Sequence, residues 1–242
     1  MTAIEIVNLT KKYGDITAVN GLSLSIFDGE LFALLGINGA GKTTTIKMLS
    51  CLTDPTDGDA FLLGKSISTD ARGVKPLIAV SPQETAVAPG LSVRENLELI
   101  CGVHGFDKIK TRERINELCN ILGLSEVMDR RAGKLSGGWQ RRVSIAMALV
   151  SEPKILFLDE PTLGLDVIAR SDLWDIIRFL KGRVTVILTT HYMEEAEALC
   201  DRVGIMRGGS LLACGTPDEI KKMADTDSFE EAFVRIVKGV TK

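Results

Sequence analysis

Gly36-Ile37-Asn38-Gly39-Ala40-Gly41-Lys42-Thr43-Thr44 is the stretch that decides the fold. It matches G-x-x-x-x-G-K-[ST] and directly follows the apolar run Leu31-Phe32-Ala33-Leu34-Leu35, which reads as a buried strand. The residues from Lys42 onward open a helix. Glycines let the backbone curl so that successive N–H groups face phosphate oxygens, and the helix N-terminus adds its positive end. Gly36, Asn38, Gly39, Ala40, Gly41, Lys42, Thr43 and Thr44 therefore form a candidate nucleotide cradle. Lys42 supplies charge to the β- and γ-phosphates of ATP, and the Thr43 hydroxyl is a ligand for Mg²⁺. A dinucleotide fingerprint is not met, because Gly39-x-Gly41 leaves Thr44 where the third glycine belongs.

Outward from this loop, Ile155-Leu156-Phe157-Leu158 and Val184 to Leu188 are two further short apolar runs. Leu173, Ile176, Ile177 and Leu180 stand at i, i+3, i+4 and i+7, the spacing of one helix face. Strand, turn and helix in alternation imply an α/β fold. The first of these runs ends in Asp159-Glu160-Pro161, so both acids emerge at a strand's carboxyl end, where ligands bind in open α/β sheets. A bound Mg²⁺ would hold Asp159 ionised, leaving Glu160 to orient and deprotonate a water. Alone, the pair would pass as a solvated acidic turn. His191 follows the third run and is expected at the same edge, to contact the γ-phosphate or hold the water; by itself it would pass as a capping or packing residue. His104, without such companions, reads as structural.

Ile4, Ile6 and Leu9, then Leu22, Leu24 and Ile26 alternating with serines, predict an N-terminal antiparallel sheet. Between about 84 and 150 the pattern is helix after helix, including Ile115, Leu118, Cys119 and Leu122 at helical spacing, and predicts an inserted helical subdomain. Short strands return near Val203 to Met206 and Leu211 to Cys214. A tail over 226–242 places Phe229, Ala232, Phe233, Ile236 and Val237 on one helical face, suited to its own domain or to a partner.

Bulk properties narrow the function. The 242 residues have a net charge of −3, 45% hydrophobic and 25% charged residues, and scattered Lys and Arg, so no nucleic-acid footprint is present. Five cysteines without a C-x-x-C pair and two histidines argue against a disulfide framework or a zinc site, and for a reducing compartment. No leader pattern opens the chain, and no stretch nears the ~18 apolar residues of a spanning helix. Any membrane role must come through a partner.

Leu135-Ser136-Gly137-Gly138 precedes another helix. Ser136 alone would be explained as an N-cap, but paired glycines weaken a helix start and suit close approach of backbone N–H groups to an anion. With these residues in view, the sequence resembles the ABC ATPase family over residues 2 to 225. The resemblance implies a P-loop NTPase (RecA-like) core with the antiparallel β subdomain and the helical insertion, as one domain over 1–225. It makes Tyr13 the adenine-stacking aromatic, with Val19 also at the nucleotide, and Gln83 the Q-loop residue that contacts Mg²⁺ and the attacking water. Ser136, Gly137 and Gly138 become the signature motif, Asp159-Glu160 the Walker B pair, Asp166 the D-loop acid and His191 the switch histidine. Trp139 departs from the usual glutamine, and Leu163-Gly164 from the usual D-loop pair. The family's head-to-tail dimer would set each ATP between one copy's phosphate loop and the other's signature. The resemblance further implies an ATPase with ATP and Mg²⁺, peripheral at the cytoplasmic face of the membrane, energising export through an ABC-2 type permease. A soluble ABC ATPase serving a cytosolic assembly is the rival reading.

Overall fold

A computed structural model describes residues 1–239. The last three residues of the expected tail, 240–242, lie outside the described residues. The chain opens with β1 (Thr2–Tyr13) and β2 (Ile16–Phe27), a long antiparallel pair, followed by β3 (Leu31–Leu35), the phosphate loop and α1 (Lys42–Leu49). Next come β4 (Asp57–Leu62), β5 (Lys65–Ser66), the short α2 (Ala71–Val74) and β6 (Ile78–Ser81). Three helices follow, α3 (Val93–Val103), α4 (Lys108–Leu122) and α5 (Gly137–Leu149), before the chain returns as β7 (Ile155–Asp159). Thereafter run α6 (Val167–Leu180), β8 (Thr185–Thr190), α7 (Met193–Leu199), β9 (Arg202–Arg207), β10 (Ser210–Gly215), α8 (Pro217–Met223) and α9 (Phe229–Lys238).

The strands form two sheets: a four-stranded antiparallel one, in the order β2-β1-β4-β5, and a six-stranded one, in the order β10-β9-β3-β8-β7-β6. Within the larger sheet β9, β3, β8, β7 and β6 run parallel, and β10 is an antiparallel edge. The central strands are apolar at nearly every position because both faces are covered. Leu31, Ala33, Leu35, Leu156, Leu158, Val186 and Leu188 face the helices, whereas Phe32, Leu34, Ile155, Phe157 and Ile187 face the antiparallel sheet and α1. Successive side chains of one strand thus serve two different cores, as the period of two requires.

Helix α9 settles one open expectation. Phe229, Ala232, Phe233 and Ile236 are buried in the same core as α7 and the large sheet, so its apolar face packs on its own domain.

The link from β6 into the helices is held by side chains. Ser92 and Glu95 close a capping box that starts α3. Asn96, fully buried, accepts from the Ala88 N–H at 2.8 Å and donates to the carbonyls of Ala88 at 3.2 Å and Ser92 at 2.8 Å. Asn96→Ala would orphan a backbone donor, and is expected to cost about 1–3 kcal/mol of stability. Denaturant unfolding measures it; a midpoint equal to wild type would show that water replaces the amide.

Candidate nucleotide site

Parallel strands deliver their carboxyl ends to one edge, and four of the loops with candidate residues start there. From β3 comes the phosphate loop, from β6 Gln83, from β7 Asp159 and Glu160, and from β8 His191. Together they border a cavity of about 470 Å³ lined by Asn38 to Thr44, Gln83, Glu160, Leu163 and His191, with Ile16, Thr17, Ala18 and Gly208 closing one side. That volume lies in the usual range for small-molecule sites.

The loop's shape depends on glycine at two positions. Gly39 and Gly41 have φ of +79° and +103°, and a Cβ at Gly41 would come within 2.5 Å of the Ala18 carbonyl oxygen. Because Gly41 offers no capping side chain, the first N–H groups of α1 stay open toward the cavity. Such a cradle fits a polyphosphate.

Lys42 is buried, and its Nζ donates to the carbonyls of Gly36 at 2.7 Å and Ile37 at 3.3 Å while pairing with Glu160 Oε1 at 3.3 Å. The other carboxylate oxygen, Oε2, accepts from His191 Nδ1 at 2.7 Å. An ionised Glu160 can only accept, so Nδ1 carries the proton of this bond. Glu160 is thus a buried carboxylate shared between a lysine and a histidine, and its backbone is left-handed, with φ of +47°. The Glu160 N–H donates to Thr189 Oγ1 at 3.0 Å, and that hydroxyl in turn donates to Asp159 Oδ1 at 2.5 Å. Asp159 Oδ1 also accepts from the Thr43 hydroxyl at 3.1 Å. Two protein oxygens side by side next to a phosphate cradle fit Mg²⁺, which commonly takes one or two protein ligands and completes its shell with phosphates and water.

Not every expected residue reaches this cavity. Val19 is fully buried in the core between the sheets, and its neighbours Ile16, Thr17 and Ala18 line the space instead. Gly36 likewise does not line it; its carbonyl receives Lys42, and a Cβ there would meet the Met206 carbonyl oxygen at 2.5 Å. Tyr13 is exposed at the end of β1, with Lys11 Nζ 5.1 Å from its ring centre.

Ser136, Gly138 and Asp166 gather around a second, shallower surface with Trp139 and Arg142. Ser136 takes the N-cap position of α5, yet its hydroxyl makes no capping bond, contrary to the simple N-cap reading. Gly138 has a packing reason as well, since a Cβ there would lie 2.9 Å from that of Ala169 on α6. Trp139 lies beneath the Arg142 guanidinium at 4.7 Å, and Arg142 pairs with Asp172 at 2.6 Å, so the departure from glutamine is absorbed locally. Asp166 caps α6 by accepting from the Ala169 N–H at 2.9 Å.

Two neighbours escaped the sequence reading. Thr189, bridging the acids, was foreshadowed only by its place before His191. Glu195 on α7 is wholly buried and accepts from Trp174 Nε1 at 3.2 Å; burial raises its pKa, opposed by hydrogen bonding to its carboxylate.

Fold and site together define a nucleotide-binding cassette. The sequence matches the family model described as ABC transporter over residues 19–163, more than half of the chain, and the chain belongs to that family. It is 37% identical over 242 residues to the "Probable multidrug ABC transporter ATP-binding protein YbhF" of Escherichia coli K12, covering 98% of this chain and 42% of that protein. The chain thus spans less than half the length of that relative. To the Nod factor export ATP-binding protein I of Burkholderia orbicola it is 43% identical over 215 residues, 88% of this chain and 71% of the relative. With the daunorubicin/doxorubicin resistance ATP-binding protein DrrA of Streptomyces peucetius it shares 41% identity over 220 residues, 90% and 67% of the two chains. Among solved structures, the ATP-binding subunit of an ABC transporter superposes with a TM-score of 0.85 at 28% identity, covering 97% of this chain and 99% of that one.

Proposed function

We propose that the chain is the ATP-hydrolysing motor of an export system. The observation that carries this reading is the Glu160 carboxylate, held between Lys42 and His191 beside an open phosphate cradle. On ATP entry Lys42 exchanges the Gly36 and Ile37 carbonyls for β- and γ-phosphate oxygens. Glu160, oriented by His191, takes the proton of the water that attacks the γ-phosphate, and Gln83 borders that water from the end of β6. Thr43 and Asp159 would hold Mg²⁺, with Gln83 beside them, and the bound ion would supply neutralisation of the charge that develops on the phosphates. Tyr13 stacks on adenine.

Ser136, Gly138 and Asp166 line a surface separate from the chain's own cradle, and we assign them, with Gly137, to the ATP of a second copy. We divide the chain into one cassette over 1–225, with a helical subdomain at about 84–150, and a tail beyond it. Among the described residues no helix is long and apolar enough to cross a membrane. Transport therefore needs a membrane permease, and the relatives named for Nod factor export and drug resistance favour one of ABC-2 type, with this chain docked at its cytoplasmic face.

The purified chain is expected to release phosphate from ATP with Mg²⁺ present, to fall to background in EDTA, and to recover when Mg²⁺ is restored. Equal turnover with and without the metal would remove Thr43 and Asp159 from their assigned role. Co-purification from detergent tests the transport half: a chain that brings down no membrane protein from its native cells is not a transport motor.

A further inference from the structure

Arg141 lies one turn inside α5 and is almost fully buried. Its guanidinium donates to the carbonyls of Pro82 and Gln83, both at 2.6 Å, and at 3.4 Å to that of Glu160. No carboxylate pairs with it among the ion pairs of the described residues. Burying a cation against carbonyls alone is costly, and burial lowers its pKa, with Asp159 and Glu195 opposing that shift at longer range. Two catalytic candidates, Gln83 and Glu160, thus owe part of their backbone placement to one side chain on a third element. Further along α5, the Ser144 and Ser81 hydroxyls bond at 3.0 Å, so the helix is stitched to β6 just before the clamp.

The same helix begins at Gly137. Its start places Ser136 and Gly138 on the second surface, and its second turn grips the chain's own site. We propose that Arg141 is a positioning residue for ATP hydrolysis, fixing Gln83 and Glu160 relative to each other and tying both to the signature helix. The inference rests on the ATPase reading above. A planar fork suits the role, because one rigid group can hold three carbonyls from two loops.

The test is steady-state ATP hydrolysis by Arg141→Ala and Arg141→Lys, with AMP-PNP binding and thermal unfolding measured on the same samples. Both variants are expected to lose about 10- to 100-fold in kcat, the scale of a small misplacement of reacting groups. KM and the number of AMP-PNP sites should stay within about twofold of wild type. Added guanidinium should raise kcat of Arg141→Ala, which has the space for it, and leave Arg141→Lys unchanged. The proposal is overturned if either folded variant turns over at the wild-type kcat, or if guanidinium fails to rescue a folded Arg141→Ala. It is equally overturned if the rate loss is matched by lost AMP-PNP sites, unfolding of both variants included, since Arg141 would then be a structural residue only. A wild-type chain that releases no phosphate is a separate outcome and sinks the ATPase reading itself.

Discussion

Glu160→Gln is expected to lower ATP turnover by about 10²- to 10⁴-fold while leaving ATP binding intact, the range for loss of a positioned general base. The amide is nearly isosteric, and its oxygen can still accept from His191 Nδ1, which lies 2.7 Å from the carboxylate, while its nitrogen cannot accept from Lys42. What it loses is the basic carboxylate oxygen that takes the water's proton. Lys42 also loses an anionic competitor at 3.3 Å and retains the Gly36 and Ile37 carbonyls, which makes its charge easier to hand to a phosphate. The variant should therefore accumulate in its ATP-bound form, as a dimer on size-exclusion chromatography in ATP. Phosphate release at the wild-type rate would take the base role away from Glu160.

Lys42→Ala is expected to weaken ATP binding by about 10- to 100-fold, because charge-assisted hydrogen bonds to the phosphates contribute about 1.5–3 kcal/mol. Calorimetric titration with AMP-PNP reads it directly. The substitution also reaches the empty protein. Glu160 has a side chain only 8% exposed, and removing Lys42 leaves it a buried anion whose remaining side-chain partner is His191. Breaking a buried pair from one side typically costs about 3–5 kcal/mol, so stability should fall without nucleotide, and adding Glu160→Gln should restore most of it. If the double variant unfolds no later than Lys42→Ala, the pair does not matter to the fold.

The large sheet was legible because its strands are apolar on both faces, so the runs at 31–35, 155–158 and 184–188 stand out from their surroundings. β6 was not, although it carries Gln83: Ile78, Ala79 and Val80 are only half buried, and the run is four residues long. The same weakness hid β4, β5 and the short helices α2 and α8. Lys42, Thr43, Asp159 and Glu160 could be proposed from local patterns because phosphate cradles and paired acids need particular residue types at fixed spacing. Val19 could not be placed this way. A one-residue difference along β2 exchanges the cavity for the core, and the irregular register of β2 against β1 blurs the alternation that would have said so. Arg141 was invisible for another reason. An arginine beside Arg142 in a helix reads as solvated, and only the tertiary arrangement brings three carbonyls around it.

The backbone at Glu160 bears on how such a protein could be made hardier. A side chain with a Cβ in the left-handed region typically costs about 1–2 kcal/mol, and glycine or asparagine would relieve it. Either replacement would also leave Lys42 buried without its carboxylate, a loss of about 3–5 kcal/mol that outweighs the relief, and the acid at the centre of the site would go with it. The ion pair and the chemistry therefore both hold a glutamate at position 160 despite its backbone strain. An engineer seeking a sturdier chain should leave it alone and work on the exposed faces of the helices instead.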